Sequence, residues 1–84
     1  MSFQNPIPLR LKEARKKAKL SQKALGVRIS SASPRMNQYE KGKHTPDVQT
    51  LKLLADELGV PLSYFFCEDE ISAELAVLIS KLPV

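Results

Sequence analysis

The sequence predicts an all-α fold, and two kinds of observation support this prediction. First, apolar residues recur three or four positions apart, as in Leu11, Ala14 and Ala18, a spacing that places them on one face of a helix. Second, local start and stop signals bound these stretches. A Ser or Thr before a proline is typical of a helix start, and a glycine is typical of a helix end. Gly42 and Gly59 occupy such end positions.

Six elements follow one another along the chain. Four helices are predicted before residue 60, at residues 9–19, 22–29, 34–41 and 46–58. Ser21 is the predicted N-cap of the second helix, Ser33 that of the third, with Pro34 as its first residue, and Thr45 that of the fourth. A short apolar helical turn is predicted at 62–66, and a last helix follows an acidic link at 68–70.

The predicted elements divide the chain into three parts. Residues 1–8 are expected to be an arm, because Pro6 and Pro8 interrupt it; this arm is expected either to be flexible or to pack through Phe3 and Ile7. Residues 9–67 are the expected helical domain, and residues 68–84 form a C-terminal helix. That helix has an apolar side formed by Ile71, Leu75, Leu78, Ile79 and Leu82. So much apolar surface either folds back on the core or pairs with a second chain, and a dimerisation segment is favoured.

The charge is divided unevenly between the two halves of the chain. Residues 1–43 contain eleven Lys or Arg and two Glu, whereas residues 44–84 contain two Lys and seven acidic residues. This division predicts a basic face for a polyanion and an acidic half turned away from it. The cations of the first helix, Arg10 among them, are expected to meet phosphate or water. A generic basic surface is the alternative interpretation.

Several classes of function are not expected. Cys67 is the single cysteine and His44 the single histidine, so neither a disulfide nor a zinc site within the chain is predicted. No catalytic motif or glycine-rich phosphate loop is present, so the chain is not expected to be an enzyme or to need a cofactor or metal. The sequence has no long apolar run and no signal-peptide pattern, which predicts a soluble cytoplasmic protein without a membrane partner or an evident small-molecule ligand.

The third predicted helix presents a polar outer face. Met36, Tyr39 and Glu40 share one side, which leaves Asn37 and Gln38 on the other at 100° per residue. An isolated helix of this kind would most simply be solvated surface. It follows another short helix through a tight turn, however, and its neighbours are basic. Amide side chains match the adenine edge in the major groove of DNA, and cations match guanine or phosphate.

These residues resemble a known family. Residues 11–66 look like the phage-repressor (Cro/repressor, XRE-type) helix-turn-helix domain. The resemblance rests on LSQ at 20–22, on E-x-G at 40–42 and on LADELGV at 54–60, with no gap between Gln22 and Glu40. It implies a lambda-repressor-like five-helix DNA-binding domain, here with an additional C-terminal helix. Ser30 stands where the family usually has a left-handed glycine, so either that residue is strained or the turn differs.

The resemblance also implies roles for individual positions. Those facing the bases are Ser33, Pro34, Arg35, Asn37 and Gln38. Those approaching backbone phosphates are Gln22, Lys23, Lys41, Lys43, His44 and Thr45. Unpaired N–H groups at the start of the fourth helix are expected to add phosphate donors. Arg15 and Glu40 match a pair that forms an inward salt bridge in several family members.

The resulting hypothesis is a transcriptional regulator, most often a repressor, that binds a pseudo-palindromic operator in double-stranded DNA as a homodimer. An antitoxin that also covers a toxin is one alternative. The other is a protein-interaction module that uses the apolar side of the last helix and has lost DNA binding.

Overall fold

The computed structural model describes residues 5–30 and 33–83, with side chains omitted at Ser33 and Pro34. This part of the chain is helical and contains no strand, which confirms the all-α prediction. Its five α-helices and one 3₁₀ helix are α1 (Ile7–Lys17), α2 (Gln22–Arg28), α3 (Ser33–Glu40), α4 (Val48–Leu58), the 3₁₀ helix (Leu62–Phe66) and α5 (Glu70–Ser80).

The core lies where α1, α2, α3, α4 and the 3₁₀ helix meet. Leu11, Leu25, Met36, Leu54 and Phe65 are each completely buried. These five side chains come from five different elements, so each helix contributes its apolar stripe to one common core. Residues on the rim of the core, including Leu20, Leu58 and Val77, are partly buried against it.

The first helix starts two residues earlier than predicted. Asn5 Oδ1 accepts a hydrogen bond from the Ile7 amide at 3.1 Å, and Ile7 itself is buried. Pro8 therefore lies in the first turn of α1, where a proline is tolerated because first-turn N–H groups have no helical acceptor. The expected arm at residues 1–8 is wrong for residues 7 and 8, and residues 1–4 lie outside the described part.

The start of the fourth helix also differs from the prediction. Asp47, not Thr45, is the N-cap of α4, and its Oδ1 accepts a hydrogen bond from the Thr50 amide at 2.8 Å. Pro46 is buried in the preceding loop instead of opening the helix. Val48, the first residue of α4, is 62% exposed. The predicted end of this helix is confirmed, because Gly59 adopts a left-handed conformation with φ 69°.

The C-terminal helix is held to the domain by one narrow face. Asp69 caps it by accepting a hydrogen bond from the Ser72 amide at 2.7 Å. Ala73 is buried and Val77 packs against the core. The predicted apolar side of α5 instead faces outward within the single chain, and its side chains are half to three-quarters exposed. Within one chain, α5 therefore covers the core without burying its own larger apolar side.

Candidate nucleic-acid interface

Helices α2 and α3 form the two-helix unit that the sequence predicts. Ser21 Oγ accepts a hydrogen bond from the Ala24 amide at 2.9 Å, which fixes the start of α2. Leu25 and Ile29 are buried, as their helical spacing predicts. Ser30 then adopts the left-handed conformation with φ 59°. A non-glycine residue at this position costs about 1–2 kcal/mol. Residues 31 and 32 of the turn lie outside the described part.

Helix α3 buries one side and presents the other. Met36 and Tyr39 are in the core, with 0% and 6% exposure. On the opposite side, Arg35 is exposed and the amide side chains Asn37 and Gln38 are half-buried. The polar outer face expected from the sequence is therefore in place from residue 35 onward. The side chains of Ser33 and Pro34, also expected to face the bases, fall outside the description.

A buried polar network anchors this helix to the two preceding ones. Arg15 donates from Nε to Glu40 Oε2 at 2.6 Å and from Nη2 to Glu40 Oε1 at 3.0 Å. The Arg15 and Glu40 side chains are only 12% and 4% exposed. A third donor of Arg15, Nη1, reaches the Leu20 carbonyl at 2.8 Å. This bidentate pair joins α1 to the end of α3, so Arg15 is not a free cation for DNA.

The same network extends to the outer face of α3. Gln22 Nε2 lies 3.2 Å from Glu40 Oε1 and 3.4 Å from Asn37 Oδ1. A carboxylate only accepts hydrogen bonds, so the Gln22 amide must turn its nitrogen toward Glu40. The Asn37 atom that faces this nitrogen is then its oxygen. The network therefore orients the Asn37 amide, and the predicted phosphate contact of Gln22 stays a prediction.

The loop after α3 carries the next predicted contacts. Gly42, with φ 77°, ends the helix, and the chain turns back so that the amides of Lys43 and His44 donate to the Gln38 carbonyl at 2.9 and 3.4 Å. The four predicted phosphate ligands of this segment are all exposed: Lys41, Lys43, His44 and Thr45. The predicted phosphate ligands of this segment are thus placed directly beyond the outer face of α3.

A small polar cleft of about 230 Å³ lies between α3 and α4. Arg35, Gln38, His44 and Thr45, all predicted DNA contacts, line it together. The cleft therefore brings two candidate base-reading side chains next to two candidate phosphate ligands. Lys23, another predicted phosphate ligand, is an exposed residue of α2 and does not line the cleft.

The start of α4 is less suited to phosphate than expected. Asp47 places its carboxylate at this end of the helix, and the hydrogen bond from the Thr50 amide holds the pKa of Asp47 below its usual range. One of the N–H donors predicted to meet phosphate is therefore occupied, and a negative charge stands beside the others. A phosphate near α4 would have to be held by side chains of the preceding loop.

Arg10 has a role that sequence reasoning missed. It is 1% exposed, and it donates to the Cys67 carbonyl at 2.9 Å and to the carboxylates of Glu13 and Glu70 at 2.6 and 3.2 Å. Burial alone would lower the pKa of Arg10, but the two carboxylates raise it. Arg10 thus joins α1 to α5 and does not meet phosphate. Its helical spacing from Ile7 was the available signal, because residues three apart share a face.

Other kinds of site find no support in the described residues. Within residues 5–30 and 33–83, no group of three or more His, Cys, Asp or Glu residues could hold a metal ion. In the same part of the chain, no helix has the length and apolarity required to cross a bilayer.

Comparison with known proteins agrees with this geometry. A family model described as helix-turn-helix matches residues 11–65. The HTH-type transcriptional regulator ImmR of Bacillus subtilis (strain 168) is 35% identical over 63 residues, which is 75% of this chain and 50% of ImmR. The chain thus spans about half the length of that relative. The crystal structure of the transcriptional regulator BswR is 42% identical and has a TM-score of 0.85, over 92% of this chain and 80% of that one. The chain belongs to the helix-turn-helix family.

Proposed function

We propose that this protein regulates transcription by binding double-stranded DNA sequence-specifically, with α3 in the major groove. The observation that carries the proposal is the convergence of Arg35, Gln38, His44 and Thr45 on one exposed cleft beside the outer face of α3. The positive charge of the first half of the chain and the similarity to the transcriptional regulators ImmR and BswR support it. Repression by occupation of the operator is the simplest mode of action, and the proposed location is the cytoplasm.

Base readout is assigned to the amide side chains of α3. Gln38 is half-buried at the cleft, so its amide is partly held in place before DNA arrives. The Asn37 amide is oriented by Gln22, whose Nε2 donates to Asn37 Oδ1 at 3.4 Å. A well-placed bidentate amide contributes about 1–3 kcal/mol of discrimination between bases. Lys41 and Lys43 are exposed at the end of α3, where they would position the helix through phosphates without reading sequence.

We further infer that the protein acts as a homodimer on a two-fold symmetric operator. The support is the outward apolar side of α5, whose side chains Ile71, Leu78 and Leu82 are 71%, 61% and 65% exposed. Contiguous apolar surface of this kind usually marks an interaction site. In such a dimer the two copies of α3 would enter successive major grooves about 34 Å apart.

The test is an anisotropy titration with random duplex DNA at two salt concentrations, followed by selection of bound sequences from a random pool. We expect binding that weakens with salt, because Lys and Arg release condensed counterions, and an enriched site with two-fold symmetry. Gln38→Ala should relax preference at one symmetric pair of positions. Lys43→Ala, the matched contrast, should weaken binding uniformly and reduce the salt dependence. Absence of binding at low salt would refute the proposal and leave α5 as the surface of a protein-interaction module.

A further inference from the structure

The exposed side of α5 has the spacing of a coiled-coil seam. Ile71, Leu75, Leu78 and Leu82 follow one another at intervals of four, three and four residues, which is the apolar repeat of two helices that wind around each other. The first three lie in α5 and Leu82 lies two residues beyond its last residue, Ser80; all four are 50–71% exposed. Ala73, on the opposite face, is 1% exposed because it holds α5 to the domain. The seam side chains are therefore largely exposed within one chain.

The two flanks of this seam differ in chemistry. Glu74 and Lys81 are seven residues apart, so they lie on the same flank two turns from each other. Both also line one groove of about 420 Å³, beside Leu78. The other flank carries Ser72 and Ile79, which have no charge. One flank thus holds a negative and a positive charge in series, and the other holds none.

This asymmetry determines which helix order is complementary. In an antiparallel pair, related by a two-fold axis across the helices, the charged flank of one helix faces the charged flank of the other. Glu74 then stands opposite Lys81 of the second copy, and Lys81 opposite Glu74. In a parallel pair, the charged flank would face the flank of Ser72 and Ile79 and would meet no opposite charge. A two-fold axis allows both orders, but only the antiparallel order brings the opposite charges of the two copies together.

We propose that α5 pairs with α5 of a second copy of this chain in antiparallel order. The two-fold axis crosses the seam midway between Leu75 and Leu78, so that Leu75 faces Leu78 and Ile71 faces Leu82 of the second copy. Two symmetric Glu74–Lys81 pairs flank the seam. This inference rests on the homodimer of the proposed function. It adds the interface surface, the antiparallel order of the two helices and the Glu74–Lys81 pairs that determine this order.

Charge exchange tests the helix order. The dissociation constant of the dimer is measured by sedimentation equilibrium for the full chain at low salt. Glu74→Lys and Lys81→Glu should each weaken the dimer roughly tenfold, since each replaces two attractive pairs by like charges. The doubly exchanged variant should return to within about threefold of the original protein. Asp56→Lys, an exposed charge reversal on α4, should leave dimerisation unchanged.

The seam itself is tested by Leu78→Glu. We expect a monomer whose circular dichroism is unchanged, because the side chain is 61% exposed in one chain. A protein that is monomeric at all accessible concentrations, or a double exchange that fails to restore the dimer, would overturn the proposal. Binding to random duplex DNA at low salt is measured separately for the original protein and for the Leu78→Glu variant. Absence of binding by the original protein would refute the DNA-binding function, whatever the dimer measurement gives.

Discussion

Replacement of Glu40 by Gln tests the network that anchors the third helix. The Glu40 carboxylate receives three hydrogen bonds, two from Arg15 and one from Gln22, at 2.6 to 3.2 Å, and its side chain is 4% exposed. A Gln has the same size but only one acceptor oxygen, so its NH₂ group must face a donor. It also leaves the Arg15 charge buried without a counter-ion.

The expected cost of Glu40→Gln follows from this geometry. Loss of one partner of a buried pair costs about 3–5 kcal/mol, whereas a domain of this size has a total stability of roughly 4–13 kcal/mol. The melting temperature should fall by about 12–40 °C, at about 4–8 °C for each kcal/mol. Urea unfolding followed by circular dichroism measures the free energy directly.

Glu57→Gln provides the matched control for this experiment. Glu57 pairs with Arg28 at 3.6 Å, and the two side chains are 37% and 54% exposed. An exposed pair contributes at most about 1 kcal/mol. If Glu40→Gln were no more destabilising than Glu57→Gln, the argument that burial makes the Glu40 network structurally essential would be wrong.

Two further predictions concern the domain's other buried polar groups. Arg10→Met should destabilise the protein by about 3 kcal/mol in the same unfolding assay, because the Cys67 carbonyl loses its donor and Glu13 loses the nearer of its two cations. Lys12→Met on the exposed side of α1 should have little effect. Burial raises the pKa of Tyr64 from 10.0 to about 12, so the folded state favours the neutral phenol. Stability should therefore be retained below about pH 10 and fall from there toward pH 12. A Tyr64→Phe variant should lack this alkaline loss when unfolding is measured across the same pH range.

The start of α2 and the end of α4 could be predicted because their signals are local. Ser21 caps the helix that it precedes, and Gly59 takes the left-handed conformation that other residues avoid. The start of α4 was harder, because Thr45 and Asp47 are both good caps and the sequence does not rank them. The choice depends on Pro46, which is buried in the loop and so is unavailable as the first residue of the helix.

The pairing of Arg10 could not be predicted from local sequence. Its partners Cys67 and Glu70 lie 57 and 60 residues further along the chain, so only the folded arrangement brings them together. Glu13, three residues away, was visible as a helical neighbour, but an exposed pair of this kind is common on any helix surface. The burial of Arg10 distinguishes its pair with Glu13 from a common exposed pair, and burial is a property of the tertiary structure.

The pairing of the arginines changes what the charge division of the sequence means. Arg10 and Arg28 bind Glu70 and Glu57, which both belong to the acidic second half of the chain. Folding therefore brings negative charge into the basic half instead of separating the two completely. Arginine suits such fixed pairs because its planar fork matches a carboxylate. Exposed charge at the end of α3 is left mainly to lysines, whose strongly hydrated ammonium groups suit sequence-independent contact with phosphate. The surplus positive charge that can act on DNA is thus smaller than the sequence count, and part of it, Lys41 and Lys43, lies at the end of the helix that is proposed to read the bases.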